Sequence, residues 1–323
     1  MLPTLDDIEA AARLIRPVIP PTPQYVWPLL SERLGLTVWL KHENHTPAGA
    51  FKVRGGLVYF ADLVRPAKVT EVIAATRGNH GQSIAIAAAR HGMTATIVVP
   101  RGNSLEKNAA MRAQGGQLIE HGADFQESLE YATTLAHERG AHMVPSYHPL
   151  LVRGVATYGA ELFRAAPDLD CVYVPIGMGS GTCATIAARN ALSPQTKVIG
   201  VVSAHANAYA LSFAGHRVIE SPVSTLLADG MACRTPRPDA LEVICQYADH
   251  VVEVTDAEVA GAMRLLHECT HNCAEGAGAA AIAAIVQERQ QLQGKKVAAI
   301  LTGGNVDAAV FARVLAGETF AIA

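Results

Sequence analysis

The sequence predicts an α/β fold with two lobes, each a mostly parallel twisted sheet flanked by helices. The first observation behind this is an alternation of short β-branched runs with stretches of helical periodicity. Such alternation is typical of parallel strands joined by right-handed crossovers. The second is that three glycine-bearing stretches each follow a predicted strand. Ligands bind at the carboxyl ends of strands in such sheets, so the three stretches predict one cleft.

The first series of elements runs from Val69 to Ser146. Its predicted strands are VTEVIAAT, TATIVVP, QLIEHG and HMVPS, and its predicted helices are GQSIAIAAARHG, SLEKNAAMRAQGG and ESLEYATTLAHERG. We expect residues 71–147 to form a small domain that carries a substrate-binding loop. The chain has no long polar linker, so it is expected to cross between the lobes at ordinary loops near Val69 and His148.

The second series forms a larger sheet. Its predicted strands are CVYVPIG, KVIGVVSA, HVVEVTD and KVAAILTGG, and its predicted helices are CATIAARNAL, DAEVAGAMRLLHECTHN and DAAVFARVLAG. We expect residues 1–70 and 148–323 to form the large, cofactor-binding domain.

Composition excludes several classes of partner. The 26 basic and 29 acidic residues give a net charge of −3, which provides no electrostatic footprint for nucleic acid or a membrane surface. The acidic start MLPTLDDIEAAARLI does not resemble a signal peptide, and no apolar run is long enough for a membrane span. We therefore expect a cytoplasmic protein with a small-molecule substrate. Its six scattered cysteines are expected to be reduced and buried.

The stretch PIGMGSGT lies between a predicted strand and a predicted helix. Unhindered backbone amides and a helix N-terminus can together hold a phosphate. The dinucleotide fingerprint fits poorly, because its third glycine would fall at Thr182 and the next strand ends in Ser203 without an acid. The loop suits a single terminal phosphate, and a simple tight turn is the alternative.

Lys52 stands in AFKVRGG among neighbours that favour burial. Burial lowers a lysine pKa because it disfavours the ammonium, and the free amine can form a Schiff base with an aldehyde. A lysine that partly snorkels at a helix start is the alternative. A reactive lysine together with a phosphate loop suggests pyridoxal phosphate.

The motifs AFKVRGG, TRGNHGQ, GMGSGT and TGGNVD occur in the order and approximate spacing of the fold type II pyridoxal-phosphate enzymes. Over nearly all its length the chain resembles their threonine/serine dehydratase and serine racemase branch. The resemblance implies the two-lobed fold of the tryptophan synthase β type, pyridoxal 5'-phosphate as cofactor and a homodimer. The lysine motif and GNHG are specific, whereas the glycine loop alone is not.

The resemblance also implies roles for individual residues. Lys52 would carry the cofactor and Thr302 would meet its pyridine nitrogen. Asn79 would bind its phenolic oxygen, and Phe51 and Glu275 would flank its ring. The phosphate would be held by Gly177, Met178, Gly179, Ser180, Gly181 and Thr182. The substrate carboxylate would be held by Thr76, Arg77, Gly78, Asn79 and His80.

The expected reaction is β-elimination of a β-hydroxy amino acid such as L-threonine or L-serine to a 2-oxo acid and ammonia. Lys52 would be the base for the Cα proton, and the Thr302 hydroxyl would not keep the pyridine nitrogen protonated as a carboxylate would. Alternatives are a dehydratase for 3-phenylserine, 3-hydroxyaspartate or a hydroxyectoine-derived amino acid, an amino-acid racemase, and a catalytically idle binding protein. A chain that stops at Ala323 is expected to lack the regulatory domain of biosynthetic threonine dehydratases.

Two arginines depart from the family's pattern. Arg77 stands where the family commonly has Ser or Ala, and arginine is a poor proton shuttle, which disfavours racemisation. We expect Arg77 to select the substrate, with a structural ion pair across the cleft as the alternative. Ala50 also replaces the usual serine before Phe-Lys, and VRGVAT, from Val152 to Thr157, replaces the family's AGQGT pattern and adds Arg153. These departures imply a changed substrate pocket.

Two segments of the sequence bear on metal binding. The strand KVIGVVSA lacks the glutamate of metal-dependent relatives, and Ala206 and Ala208 offer no carboxylate, so no divalent cation is expected there. A hypothesis from a different class is a zinc peptidase, because the residues from His267 to His271 read HECTH and Glu288 is a possible third ligand. Buried helix residues are the preferred interpretation of that segment.

Overall fold

A computed structural model describes residues 2–63 and 69–320. It contains a six-stranded and a four-stranded sheet, which confirms the predicted α/β fold with two parallel sheets. The strands of the larger sheet are β1 Gln24–Val26, β2 Thr37–His42, β7 Cys171–Pro175, β8 Lys197–Ser203, β9 His250–Val254 and β10 Lys296–Leu301. Their order is β1-β2-β10-β7-β8-β9, and only β1 pairs antiparallel with its neighbour in this sheet.

The four-stranded sheet is parallel throughout. Its strands are β3 Glu71–Ala75, β4 Thr94–Val99, β5 Gly116–Glu120 and β6 His142–Met143, in the order β5-β4-β3-β6. All four belong to the stretch assigned to the small domain, but the domain boundaries themselves stay a prediction. Residues 1, 64–68 and 321–323 of the predicted larger domain lie outside the described residues.

Thirteen α-helices connect and cover the sheets in the described part of the chain. They are α1 Leu5–Ile15, α2 Pro28–Leu34, α3 Lys52–Leu63, α4 Asn79–Arg90, α5 Leu105–Ala113, α6 Phe125–Arg139, α7 Pro149–Ala165, α8 Ser180–Leu192, α9 Ala208–Gly215, α10 Pro238–Tyr247, α11 Asp256–Thr270, α12 Gly276–Glu288 and α13 Ala308–Leu315. Capping boxes begin α1 at Thr4 and α11 at Thr255. The alternation that starts at Val69 did not anticipate β1 and β2.

Helix α12 lies in the core of the larger sheet. Its sequence GAGAAAIAAIVQE is buried from Gly276 to Ile285 because small side chains allow close contact on every side. A Cβ on Gly276 would stand 2.2 Å from the Leu227 carbonyl oxygen, so only glycine fits. This packing fixes the start of α12, and with it the residue that precedes it, Glu275.

The six cysteines are all free. Four are buried, Cys245 is half-buried and Cys273 is exposed, so the expectation of burial is wrong for Cys273. Among the described residues, no helix is long and apolar enough to cross a membrane.

Candidate active site

A cavity of about 910 Å³, counting its open mouth, lies between the two sheets at the carboxyl ends of their strands. The loops after β3, β7 and β10 all contribute to it, which confirms the prediction of one cleft. Fourteen of the predicted site residues line the cavity: Phe51, Lys52, Thr76, Arg77, Gly78, Asn79, His80, Gly177, Met178, Gly179, Ser180, Gly181, Glu275 and Thr302.

Thr182 is the predicted site residue that does not line the cavity. It lies in the first turn of α8 and is fully buried. Its hydroxyl is directed at the Pro175 carbonyl oxygen, 3.5 Å away. Only its backbone amide remains as a candidate ligand for a phosphate.

Lys52 is the first residue of α3 and is half-buried rather than buried, because its side chain faces the open cavity. Its Nζ donates to Ser180 Oγ over 3.2 Å and forms no ion pair with a carboxylate among the described residues. Burial of the amine, with no carboxylate to oppose it, lowers the pKa of Lys52 to about 8. Near neutral pH a useful fraction of Lys52 is therefore the free amine.

A buried ion cluster holds the start of α3. Arg54, two residues after Lys52, is fully buried and donates to Glu43 over 2.7 Å and to Glu161 over 2.7 Å. Lys41 donates to the same Glu161 over 2.6 Å. Sequence analysis assigned no role to Arg54. The cluster anchors the helix whose first side chain enters the cavity.

The two glycines after Arg54, Gly55 and Gly56, stand where α3 contacts neighbouring helices. A Cβ on Gly55 would stand 2.8 Å from the Leu151 carbonyl oxygen, and one on Gly56 would stand 2.3 Å from Ser83 Oγ. These glycines therefore let α3 pack closely against α7 and α4.

The loop from Gly177 to Ser180 forms a cradle of backbone amides. Gly179 has a φ of +90°, a conformation that favours glycine, and caps α8. The first hydrogen bond of the helix runs from Cys183 N to Gly179 O, so the preceding amides of α8 have no partner within the helix. A Cβ on Gly177 would stand 2.3 Å from the Gly230 carbonyl oxygen, so a larger residue would not fit here.

Two contacts fix the Asn79 side chain. Its Nδ2 donates to Glu275 Oε1 over 2.5 Å, and its Oδ1 accepts from Asn305 Nδ2 over 2.8 Å. These contacts fix the positions of Oδ1 and Nδ2 in the Asn79 amide and leave one Nδ2 hydrogen for a ligand. Asn305, which belongs to the TGGNVD motif, was not predicted to take part in the site.

Lys107 is a cavity residue that sequence reasoning missed. It is buried in the first turns of α5, with its Nζ 2.7 Å from Asp229 Oδ2 and 3.1 Å from Glu275 Oε2. Burial alone would lower the pKa of Lys107, but the carboxylates of Glu275 and Asp229 raise it above its usual value. Burial raises the pKa of Glu275, and Lys107 limits that rise. No local sequence motif marks Lys107, because both of its partners are distant from it in the sequence.

The segment that follows β3 places the side chains of Arg77 and His80 at the cavity. Burial, with a further contribution from Lys52, lowers the pKa of His80 to about 3, so its ring is neutral. Arg77 is half-buried, and its Nε is shielded from solvent without a hydrogen-bond partner. No described carboxylate forms an ion pair with Arg77, so the alternative of an ion pair across the cleft finds no partner there.

Thr302 follows β10 and is buried at the cavity wall. Its carbonyl oxygen accepts from Phe51 N over 3.0 Å. This bond ties the end of the central strand to the residue before Lys52. The two predicted cofactor-binding segments are thus joined directly through their backbones.

Arg153 lies outside the cavity. Its Nη2 is 3.0 Å from Asp7 Oδ1, in an ion pair whose side chains are 37% and 33% exposed. Arg153 therefore does not take part in the expected change of the substrate pocket, which stays a prediction for the rest of the segment. The residue joins α7 to α1 at the surface.

The HECTH segment does not have the geometry that the zinc hypothesis needs. Helix α11 ends at Thr270, and His271 caps it with a φ of +53°, outside the helix that carries His267. Glu288 accepts from Tyr173 and contacts His250 instead. Among the residues described, no group of three or more His, Cys, Asp or Glu side chains is arranged to hold a metal ion.

The chain is similar to several known enzymes. The chain is 35% identical to L-threonine ammonia-lyase of Thermotoga maritima over 97% of its own length and 78% of the relative's. It is 30% identical to L-threo-3-hydroxyaspartate ammonia-lyase of Saccharomyces cerevisiae over 98% of both chains. Among solved structures, maize serine racemase superposes with a TM-score of 0.90 at 25% identity over 98% of both chains. The processed threonine deaminase isoform 2 of Solanum lycopersicum gives a TM-score of 0.87 at 26% identity, over 98% of this chain and 95% of that one.

A family model identifies the family to which the chain belongs. A family model described as pyridoxal-phosphate dependent enzyme matches residues 15–303, which include every residue that lines the cavity. The chain therefore belongs to the family of pyridoxal-phosphate dependent enzymes.

Proposed function

We propose that the protein is an ammonia-lyase that dehydrates and deaminates a β-hydroxy amino acid, such as L-threonine or L-serine, to a 2-oxo acid and ammonia. The observation that carries the proposal is that Lys52, an amine with a lowered pKa, lines the same cavity as the loop from Gly177 to Ser180. The backbone amides at the start of α8 in that loop have no acceptor within the helix. The ammonia-lyases among its relatives support the same reaction.

The residues of the cavity fit pyridoxal phosphate. The unpaired amides at the start of α8 suit a phosphate, and Lys52 hydrogen-bonds to Ser180 in the same loop. Asn79 has a hydrogen to donate, and Phe51, Glu275 and Thr302 line the remaining wall. When bound there, the cofactor supplies a conjugated ring that accepts the electron pair of the broken Cα–H bond.

The protein's own groups would orient the substrate. Within α4 the first hydrogen bond runs from Gln82 N to Gly78 O, so the amides of Asn79 and His80 are free to hold the substrate's α-carboxylate. The Lys52 amine takes the Cα proton, and its lowered pKa keeps part of it unprotonated near neutral pH. In the net reaction, the Cα proton and the β-hydroxyl leave as one molecule of water. The resulting enamine tautomerises to an imine, which a second water hydrolyses to the 2-oxo acid and ammonia.

Elimination is proposed over racemisation because a racemase needs a second acid or base opposite Lys52. Arg77 occupies the loop from which such a group would act, and a guanidinium does not release its proton at neutral pH. The wall residue after β10 is Thr302, a neutral hydroxyl rather than a carboxylate.

We also propose a cytoplasmic homodimer, on the resemblance alone, and a reaction that needs no divalent cation. The two lobes would be residues 71–147 and the remainder of the chain, as expected from the alternation of elements.

The test is to load the purified protein with pyridoxal phosphate and measure ammonia and 2-oxo acid from a panel of β-hydroxy amino acids. We expect release from at least one member, unchanged after chelator treatment and desalting. D-serine formed from L-serine as fast as ammonia would replace the lyase with a racemase. A loss of activity that zinc restores would revive the HECTH hypothesis.

A further inference from the structure

Arg77 is a cation in the cavity that the proposed chemistry does not use. It is half-buried at the end of β3, and its Nε is shielded from water without an acceptor. The two lysines of the cavity, by contrast, have polar partners: Lys52 contacts Ser180, and Lys107 contacts Asp229 and Glu275. A partly buried guanidinium with an unsatisfied donor costs free energy, which an anionic ligand would recover.

Among the described residues, no carboxylate is in place to satisfy Arg77. The described carboxylates of the cavity, Asp229 and Glu275, are engaged by Lys107. The residues outside the described ranges contain no Asp or Glu, so their side chains add no candidate. An anionic ligand would supply the acceptor that Arg77 Nε lacks among the described residues.

The two anionic groups already expected in the cavity have their own donors. The cofactor's phosphate has the amides at the start of α8, and the α-carboxylate has the amides at the start of α4. Arg77 offers a rigid fork of donors suited to a further carboxylate. The lining of the same cavity includes the apolar residues Phe125 and Met231, which offer no competing donor.

We propose that Arg77 binds an anionic group on the substrate's side chain, so that the preferred substrate is a β-hydroxy amino acid with a second carboxylate. This rests on the proposed function and narrows it from any β-hydroxy amino acid to a dicarboxylic one. L-threonine and L-serine, which leave the guanidinium unsatisfied, are then the poorer substrates.

The experiment compares wild type with Arg77→Gln and Arg77→Lys on L-threo-3-hydroxyaspartate and L-threonine. We expect Arg77→Gln to lower kcat/KM for the dicarboxylate by about tenfold to 150-fold, the range for hydrogen bonds between charged groups, and to change that for threonine less than about threefold. Arg77→Lys should retain part of the preference. Arg90→Gln, at the exposed end of α4, is the matched control and should change neither.

A binding measurement gives a readout without turnover. L-aspartate and L-2-aminobutyrate have the same four-carbon backbone and lack the β-hydroxyl, and they differ in having a carboxylate or a methyl group. The loaded wild type should bind L-aspartate more tightly, by spectral titration, and Arg77→Gln should abolish the difference. Equal binding of the two by wild type would overturn the proposal.

Other outcomes separate this proposal from the wider one. If Arg77→Gln lowers kcat/KM equally for all substrates, Arg77 binds the α-carboxylate. If the variant no longer retains the cofactor, Arg77 binds the phosphate. Either result overturns the proposal. If ammonia comes from threonine and hydroxyaspartate alike in every variant, this inference fails and the lyase stands. If Arg77 governs L-aspartate binding but no hydroxy amino acid yields ammonia, the anion site stands and the lyase fails.

Discussion

Two lysines line the same cavity, and their environments shift their pKa values in opposite directions. Lys52, at the start of α3, has only a hydroxyl within hydrogen-bond distance, and its pKa falls to about 8. Lys107, near the start of α5, contacts Asp229 and Glu275, and its pKa rises. Burial alone disfavours the ammonium in both cases. The presence of a carboxylate therefore decides which lysine can act as an amine.

The difference divides the work of the site. Lys52 can lose its proton and form a bond, whereas Lys107 stays charged and keeps two carboxylates in place. One of these, Glu275, accepts from Asn79, the residue expected to bind the cofactor's phenolic oxygen. Lys107 is therefore a positioning residue that acts through Glu275 and Asn79.

The largest effect is expected from removing the amine. Lys52→Ala should lower kcat about a thousandfold or more, because it removes the general base as well as the covalent link. Weak cofactor binding should survive through the phosphate cradle. Borohydride reduction followed by peptide mapping should place the pyridoxyl group on Lys52 in wild type. Label on Lys107 would reverse the assignment of the two lysines.

The next largest effect is expected on stability. Lys107→Met leaves Glu275 buried and Asp229 partly buried without their cation, and breaking a buried ion pair costs about 3–5 kcal/mol. Because Asp229 is 28% exposed, we expect a loss near 3 kcal/mol in the free energy of unfolding, measured with urea.

Two controls accompany that measurement. Glu275→Gln added to Lys107→Met should recover part of the loss, since it removes the more buried of the two charges. Lys295→Met changes an exposed lysine and should cost little. A loss for Lys107→Met no greater than for Lys295→Met would mean that the two carboxylates do not need this cation.

The contrast between the lysines also shows what sequence can predict. Lys52 and Asn79 stand in contiguous motifs, so their neighbours in the chain reveal them. The periods of two and 3.6 residues likewise predicted the elements from β3 to β6, because local patterning follows burial. Lys107 and Arg54 could not be found this way, since their partners come from distant segments.

Residues that are neighbours in the chain can face different surroundings in space. Gly55 and Gly56 follow the lysine in the chain but face Leu151 and Ser83. Arg153 departs from the family's pattern, yet it lies on the surface beside Asp7. A motif locates a chemical group, whereas the direction of each side chain depends on packing that the motif does not contain.

A third test concerns the pH at which Lys52 reacts. In the cofactor-free protein, its labelling by acetic anhydride should have a midpoint near pH 8 rather than at the usual 10.5, with exposed Lys295 as the reference for reagent decay. Because the folded pKa is lowered, the unfolded chain binds the extra proton between pH 8 and 10.5. Cofactor-free wild type should therefore gain stability relative to Lys52→Met as the pH rises through that window. A midpoint close to 10.5 would show that the cavity does not perturb this amine.

The smallest effect is expected at Arg153. Its substitution tests whether a carboxylate partner stabilises the fold when the ion pair is exposed to solvent. Like Lys107 it contacts a carboxylate, but both partners of the Arg153–Asp7 pair are in contact with solvent. Water and ions screen such a pair, so Arg153→Ala should cost only about 0.2–1 kcal/mol in the free energy of unfolding. Its kcat and KM should equal those of wild type, since the side chain lies outside the cavity. A change in substrate ranking would return Arg153 to the substrate pocket, and a loss as large as that of Lys107→Met would show that a carboxylate partner matters more than removal from water.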